Sequence, residues 1–262
     1  MHITVINPNT SWAMSQTIGS CARAVASAGT IISAVSPPMG PASIESHYDE
    51  ALAVPGLLHE VAAGESHGVD GYVIACFGDP GLDAARELAT GPVVGIAEAA
   101  MHTATLLGRS FSIVTSLSRT IGRAHDLVRH YGFDDRCVSI YACDIPVLSL
   151  EDPGSDAARA IIERCRRAVN DDGADSIVLG CAGMAELCDR ISREIGVPVV
   201  DGVAAATKLV ESLVTLGYRT SARDEFARPL PKTYSGMLGE FDLRSPGSVA
   251  AERPVLSDEW HS

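Results

Sequence analysis

The chain repeats its own pattern of short strands and helices. Gly68-Val69-Asp70 lines up with Gly173-Ala174-Asp175, an offset of 173 − 68 = 105, and Cys76 and Cys181 share it, 181 − 76 = 105. Pro92 and Pro198 differ by 106, so the second copy carries one inserted residue between the cysteine and the proline. A period this long lies far above that of solenoid repeats and points to a duplicated α/β unit. The first copy predicts strands at 3–6, 30–35, 71–74 and 92–96 and helices at 14–28, 49–63, 82–89 and 97–107. In the second, 111–118 takes the place of 3–10, with strands at 138–141, 175–180 and 198–200 and helices at 120–131, 155–169 and 202–216.

Strands that alternate with helices form parallel sheets with right-handed crossovers. The expected architecture is therefore α/β, with two parallel-sheet lobes related by a pseudo-twofold axis and the active site in the cleft between them. Residues 1–98 plus 207–235 are assigned to the first lobe, 99–206 to the second, and 236–262 to a polar, proline-containing C-terminal tail without a chemical signal.

Composition narrows the function. The net charge is 20 − 33 = −13, which makes a nucleic acid a poor partner. No apolar run approaches the roughly 18 residues a membrane helix needs, and no signal peptide is visible at the amino terminus. Seven cysteines without a secretory signal predict reduced thiols in the cytoplasm. No Cys-x-x-Cys cluster or histidine spacing suits a metal, so no metal site is assigned.

Two of those thiols stand out by position. Cys76 follows the apolar run Gly71-Tyr72-Val73-Ile74 and Cys181 follows Ser176-Ile177-Val178-Leu179, and each has a glycine two residues on. The carboxyl end of such a strand is where α/β proteins place chemistry. In a pseudosymmetric pair of lobes the two cysteines approach one small volume from opposite sides. Racemising a carbon acid requires removing a proton from one face and returning one to the other. A thiol serves as base or acid, with an ordinary pKa of about 8.5 that a turn or helix terminus can lower. The resulting enolate needs donors around its oxygen. The backbone N–H groups of Gly78 and Asp79, and of Ala182 and Gly183, are candidates because each set sits at an expected helix start.

The turn Asn7-Pro8-Asn9-Thr10, the loop Gly40-Pro41-Ala42-Ser43-Ile44-Glu45, and the motifs Cys76-Phe77-Gly78-Asp79-Pro80-Gly81 and Gly180-Cys181-Ala182-Gly183-Met184 resemble the aspartate/glutamate racemase superfamily. Within it they are most similar to the hydantoin racemase branch, which includes allantoin racemases, over roughly residues 3–235. The resemblance implies a cofactor-independent racemase, usually a homo-oligomer, acting on a small molecule. It implies Cys76 and Cys181 as the acid/base pair, with substrate contacts from Asn9, from Thr115 or Ser116, and from main chain beside the cysteines; the loop 37–46, with Ser43, either contributes to the substrate mouth or merely crosses the surface.

A 5-monosubstituted hydantoin suits such a site. Its C5 proton is flanked by a carbonyl and a ring nitrogen, and its planar ring offers one face to each thiol. Allantoin, a hydantoin with a ureido group at C5, undergoes the same chemistry. More distant alternatives are another isomerase or a decarboxylase of the superfamily, or a thiol-redox or binding protein without turnover. Cys21, Cys137, Cys143, Cys165 and Cys188 lack the glycine turn and are assigned to packing. Asp79 either shifts thiol ionisation or caps the following helix. The Asn7–Thr10 and Thr115–Ser116 segments also have a plainer role as turns and caps.

Overall fold

A computed structural model describes residues 1–148 and 157–243. The first half contributes strands β1 (His2–Ile6), β2 (Ile31–Val35), β3 (Gly71–Ile74) and β4 (Val93–Gly95). Its helices are α1 (Trp12–Val25), α2 (His47–Ser66), α3 (Leu82–Leu88) and α4 (Ile96–Leu107). The second half contributes β5 (Phe111–Thr115), β6 (Cys137–Ala142), β7 (Ser176–Gly180) and β8 (Val199–Val200). Its helices are α5 (Ile121–His130), α6 (Ala157–Asn170), α7 (Cys188–Ile195) and α8 (Gly202–Thr215). A 3-10 helix, Ala182–Leu187, precedes α7.

The strands form two four-stranded parallel sheets, ordered β2-β1-β3-β4 and β6-β5-β7-β8. The order is the same in both halves, as the duplication predicts. The central strands β3 and β7 are buried along their whole length, as strands covered on both faces must be. Alternate residues of the first sheet face opposite helix layers. Ile3, Val5 and Val73 meet α1 and α8, whereas Ile6, Tyr72 and Ile74 meet α2 and α3. In the second sheet, Phe111, Ile113 and Val178 meet α4 and α5, and Val114, Ile177 and Leu179 meet α6 and α7.

The last helix of each half is exchanged. α4 follows β4 but packs Ala100, Met101 and Ala104 against the second sheet; α8 follows β8 but packs Val203, Ala206 and Val210 against the first. Each fully buried valine contributes about 2 kcal/mol of apolar burial, so the exchange ties the two sheets into one core. α4 and α8 also pack on each other.

Capping chemistry fixes the helix starts around the future site. Ser11 accepts from the Met14 N–H at 3.2 Å and opens α1. Ser46 accepts from the Asp49 N–H at 3.2 Å, and Asp49 accepts in return from the Ser46 hydroxyl at 2.7 Å and the Glu45 N–H at 3.1 Å. This reciprocal cap starts α2 two residues before the expected position. The helix expected from 155 begins at Ala157 among the described residues; position 155 itself lies outside them.

The chain divides into two compact units, Met1–Ala227 and Arg228–Ser262. The first contains both sheets. The second is described to residue 243 and holds a 3-10 helix, Gly236–Phe241, and a bridge in which Lys232 and Leu243 exchange two N–H···O bonds of 3.1 Å. The expected tail therefore lies outside the described residues from 244 onward. Among the described residues, no helix is long and apolar enough to cross a membrane.

Candidate active site

β3 ends at Ile74, and the Ala75 N–H still bonds the Ile6 carbonyl at 2.8 Å, so Cys76 is the first residue free of the sheet. The chain then turns sharply. The Asp79 N–H donates to the Cys76 carbonyl at 3.0 Å, and Asp79 takes the left-handed conformation with φ 43°. In the other half β7 ends at Gly180, and the extended Cys181 caps the 3-10 helix, with the Met184 N–H on its carbonyl at 3.1 Å. Two equivalent strand ends thus deliver two cysteines to one cavity of about 180 Å³. Cys181 is near enough that its charge acts on the Cys76 thiol.

Burial pushes the Cys76 thiol up to about 12, and the like charges of Glu50, Cys181 and Asp79 add to it; the Gly78 N–H beside the sulfur opposes. Burial pushes the Cys181 thiol up to about 11, helped by Glu45 and opposed by the Gly183 N–H. The glycine two residues after each cysteine therefore serves the same purpose in both halves, 78 + 105 = 183: its N–H faces its own thiol. This corrects the expectation drawn from the sequence. Helix α3 starts only at Leu82, so Gly78 and Asp79 do not sit at a helix start, and the Asp79 N–H is spent on the turn.

The cavity wall includes Asn9, Gly78, Thr115, Ser116 and Ala182, as expected, but not Ser43, Asp79 or Gly183. Asn7 donates through Nδ2 to the Asn9 side-chain oxygen at 2.8 Å and to Ser15 Oγ at 3.0 Å; that same Asn9 oxygen accepts from the Ser11 N–H at 2.9 Å. The Asn9 amide is thereby held with its oxygen occupied and its Nδ2 toward Met14 Sδ at 3.4 Å, a weak acceptor that a ligand carbonyl can outcompete. Thr115 Oγ1 lies 2.9 Å from Thr120 Oγ1, whose hydroxyl donates to the Leu117 carbonyl at 2.8 Å. Thr115 and Asn7 occupy equivalent strand ends, opposite Gly180 and one residue past Ile74 respectively. The Ser116 residue is buried on the cavity wall.

Charged groups complete the wall, and sequence reading did not find them. Glu45, His47 and Glu50 arrive from the start of α2, and Arg119 and Arg123 from the start of α5. Arg123 donates through Nη2 to the Gly78 carbonyl at 2.5 Å, and its Nε lies 3.3 Å from Glu50 Oε1. A Cβ at Gly78 would meet the end of the Glu50 carboxylate and displace it. Burial raises the Glu50 pKa, while Arg123 and His47 hold it down. On the Cys181 side, Glu45 Oε1 accepts from the Val147 N–H at 3.0 Å, 102 residues away. Arg123 and Glu45 thus each bridge the two sheets, one beside each thiol. Of these residues only Glu45 lies inside one of the motifs that carry the family resemblance, because pairings across the cleft leave no local pattern. Among the described residues, no group of three His, Cys, Asp or Glu side chains is placed to hold a metal.

Comparison with known proteins agrees with this arrangement. Residues 3–210 match the Asp/Glu/Hydantoin racemase family. A hydantoin racemase of Rhizobium meliloti is 48% identical over 236 residues, covering 90% of this chain and 98% of that protein. The solved allantoin racemase of Klebsiella pneumoniae is 55% identical with a TM-score of 0.90, covering 92% of this chain and 99% of that one. The allantoin racemase of Pseudomonas fluorescens is 41% identical with a TM-score of 0.87, covering 90% and 100%. With a match across most of its length and two cysteine-bearing strand ends in one cleft, the chain belongs to the Asp/Glu/hydantoin racemase family.

Proposed function

We propose that the protein racemises 5-monosubstituted hydantoins through two thiols, with allantoin as the second reading. Family membership makes the chain an isomerase of the racemase class. The observation that carries the finer reading is the convergence of Cys76 and Cys181, from equivalent strand ends of opposite sheets, on one cavity.

In the proposed reaction one thiolate takes the C5 proton, and the electron pair of the broken C–H bond moves onto the neighbouring carbonyl oxygen. The thiol across the cavity then donates its proton to the opposite face of C5, and its own S–H electron pair stays on sulfur. Both sulfurs re-equilibrate with water. The chemistry calls for no further group, because the ring itself delocalises the charge. Ala182 opens the 3-10 helix, whose first N–H groups have no intrahelical acceptor, so its N–H and the Asn9 amide are suited to the enolate oxygen. Thr115 and Ser116 complete the polar edge for ring N–H and C=O groups. Burial keeps both sulfurs largely protonated near neutrality, which suits the acid, and the Gly78 and Gly183 N–H groups work against that burial for the sulfur that serves as base.

The similar solved structures are allantoin racemases, whereas the Rhizobium meliloti relative is a hydantoin racemase, so the C5 substituent is decided by experiment. Proton NMR in heavy water with C5-substituted hydantoins, allantoin, aspartate and glutamate, alongside optical rotation, tests the reading. Loss of the C5 proton signal together with loss of rotation for a hydantoin or allantoin supports it; exchange only with the amino acids, or none, overturns it. A homo-oligomer in which this unit repeats belongs to the same proposal.

A further inference from the structure

The two halves cap equivalent helices in different ways. In the second half, Asp201 sits directly before α8 and accepts from the Val203 N–H at 2.8 Å, with the Ala204 N–H also on its carboxylate. The equivalent position before α4 is 201 − 106 = 95, a glycine, and sheet register confirms the match: Val73 pairs with Val94 as Val178 pairs with Val200. Gly95 has no side chain to cap with. The N–H groups equivalent to Val203 and Ala204 are Ala97 and Glu98, and both donate to Asp79, at 3.1 and 2.9 Å. The capping carboxylate of α4 therefore comes from the turn that follows Cys76. A Cβ at Gly95 would overlap this carboxylate, so Asp79 can reach α4 in this way only with glycine at 95. Asp79 has a third donor, the Tyr131 hydroxyl at 2.7 Å, from the end of α5 in the other half. The position equivalent to Asp79 is 79 + 105 = 184, a methionine buried in the second core.

We propose that Asp79 is a positioning residue for Cys76: by carrying the cap of α4 and the Tyr131 bond, it pins the Cys76-Phe77-Gly78 turn to the helix that joins the two sheets, a restraint Cys181 does not have. The left-handed backbone at Asp79 is part of the same device, since a non-glycine residue holds φ 43° only when its surroundings over-determine it. Through this restraint the Gly78 N–H stays on the Cys76 sulfur. The inference deepens the two-thiol reading but rests on geometry that can be probed without substrate.

The test compares Asp79→Ala with the double variant Asp79→Ala/Gly95→Asp, which gives α4 the local cap that α8 already has. Alkylation of each cysteine by iodoacetamide is followed across pH by peptide mass spectrometry, together with the melting temperature. Charges facing Cys76 come from Glu50 on α2, Cys181 across the cavity and Asp79 itself; Asp79 is faced by Tyr131 and Glu98. Mere loss of the Asp79 charge would make Cys76 ionise more readily. Loss of the turn removes the Gly78 donor, so the proposal expects the opposite: Cys76 alkylation slower by about tenfold at fixed pH, the equivalent of one unit upward. Cys181 is the internal control and keeps its rate. The double variant recovers the melting temperature but not the Cys76 rate. Should the single variant fail to fold, Gly95→Ala, which drives the carboxylate out without removing it, supplies the same reading. Recovery of both properties in the double variant, unchanged or faster Cys76 alkylation, or equal effects on the two cysteines would overturn the proposal. Absence of racemase activity leaves this readout intact and counts only against the proposed reaction.

Discussion

The two halves of the molecule share a strand order, a pair of glycine-flanked cysteines and an N–H aimed at each sulfur, yet their surroundings differ. The Cys76 side is stiff and charged: Arg123 holds the Gly78 carbonyl and faces Glu50, and Asp79 anchors the turn. On the Cys181 side, among the described residues, the carboxylate that acts on the thiol is Glu45, committed to the Val147 N–H, and the turn runs directly into a 3-10 helix. The two strand ends approach the cavity from opposite sheets, and their electrostatic surroundings are unequal. A planar substrate needs reach from both faces; it does not need matched environments, because the two faces of a chiral carbon are never presented identically.

The largest expected effect removes the symmetry altogether. Cys76→Ser and Cys181→Ser should each lower racemisation kcat/KM by about 10³-fold or more, the scale of a lost general acid or base, as measured by polarimetry. Equal losses sharpen the comparison; full activity in either variant breaks it. Next in size is Arg123→Met, which leaves the Glu50 carboxylate facing the cleft without its guanidinium. It should lose about 2 kcal/mol of stability by denaturant titration, and Arg123→Met/Glu50→Gln should regain part of it. Among the described residues, no arginine bridges to the Cys181 turn as Arg123 does to Gly78, so the effect should appear in Cys76 reactivity and not in that of Cys181.

Titration separates the halves further. Both thiols lie above their ordinary value, so each ionises more as pH rises, and kcat/KM should climb over roughly pH 6 to 8 by up to tenfold per unit. A flat profile there would show that thiolate formation does not limit the reaction. The smallest effects come from single carboxylates. Glu50→Gln removes a like charge from Cys76 and should let it ionise at lower pH; Glu45→Gln should do the same for Cys181. Alkylation of each cysteine against pH reads the two shifts separately, and a shift of the wrong cysteine would contradict the assignment.

Much of the fold was legible because its signals are local. The 105-residue offset, the β-branched runs and the glycine and serine boundaries placed all eight strands and the helices of both halves within a few residues. α7 was the exception: its cysteine-to-isoleucine stretch follows a 3-10 helix, and that entry obscures the start of a helical period. Seven of the ten candidate site residues line the cavity, since strand ends in a parallel sheet gather at one edge. Asp79 shows the limit of such reading. Of the two roles expected for it, its charge does act on the Cys76 thiol, but the helix it caps is α4, beyond an intervening helix and strand. The exchange that put its partner glycine at 95 appears only when the halves are superposed through their sheet register. Arg123 and Glu50 were invisible for a related reason, because a pair 73 residues apart across a cleft carries no spacing rule.

The central claim is that each thiol serves one face of the same carbon. Cys76→Ser and Cys181→Ser, each given both enantiomers of a turned-over hydantoin in heavy water, test it by NMR of C5 exchange. The account predicts that each variant exchanges one enantiomer without inverting it, and that the two variants choose opposite hands. Exchange of the same hand by both variants, or of both hands by either one, would contradict it.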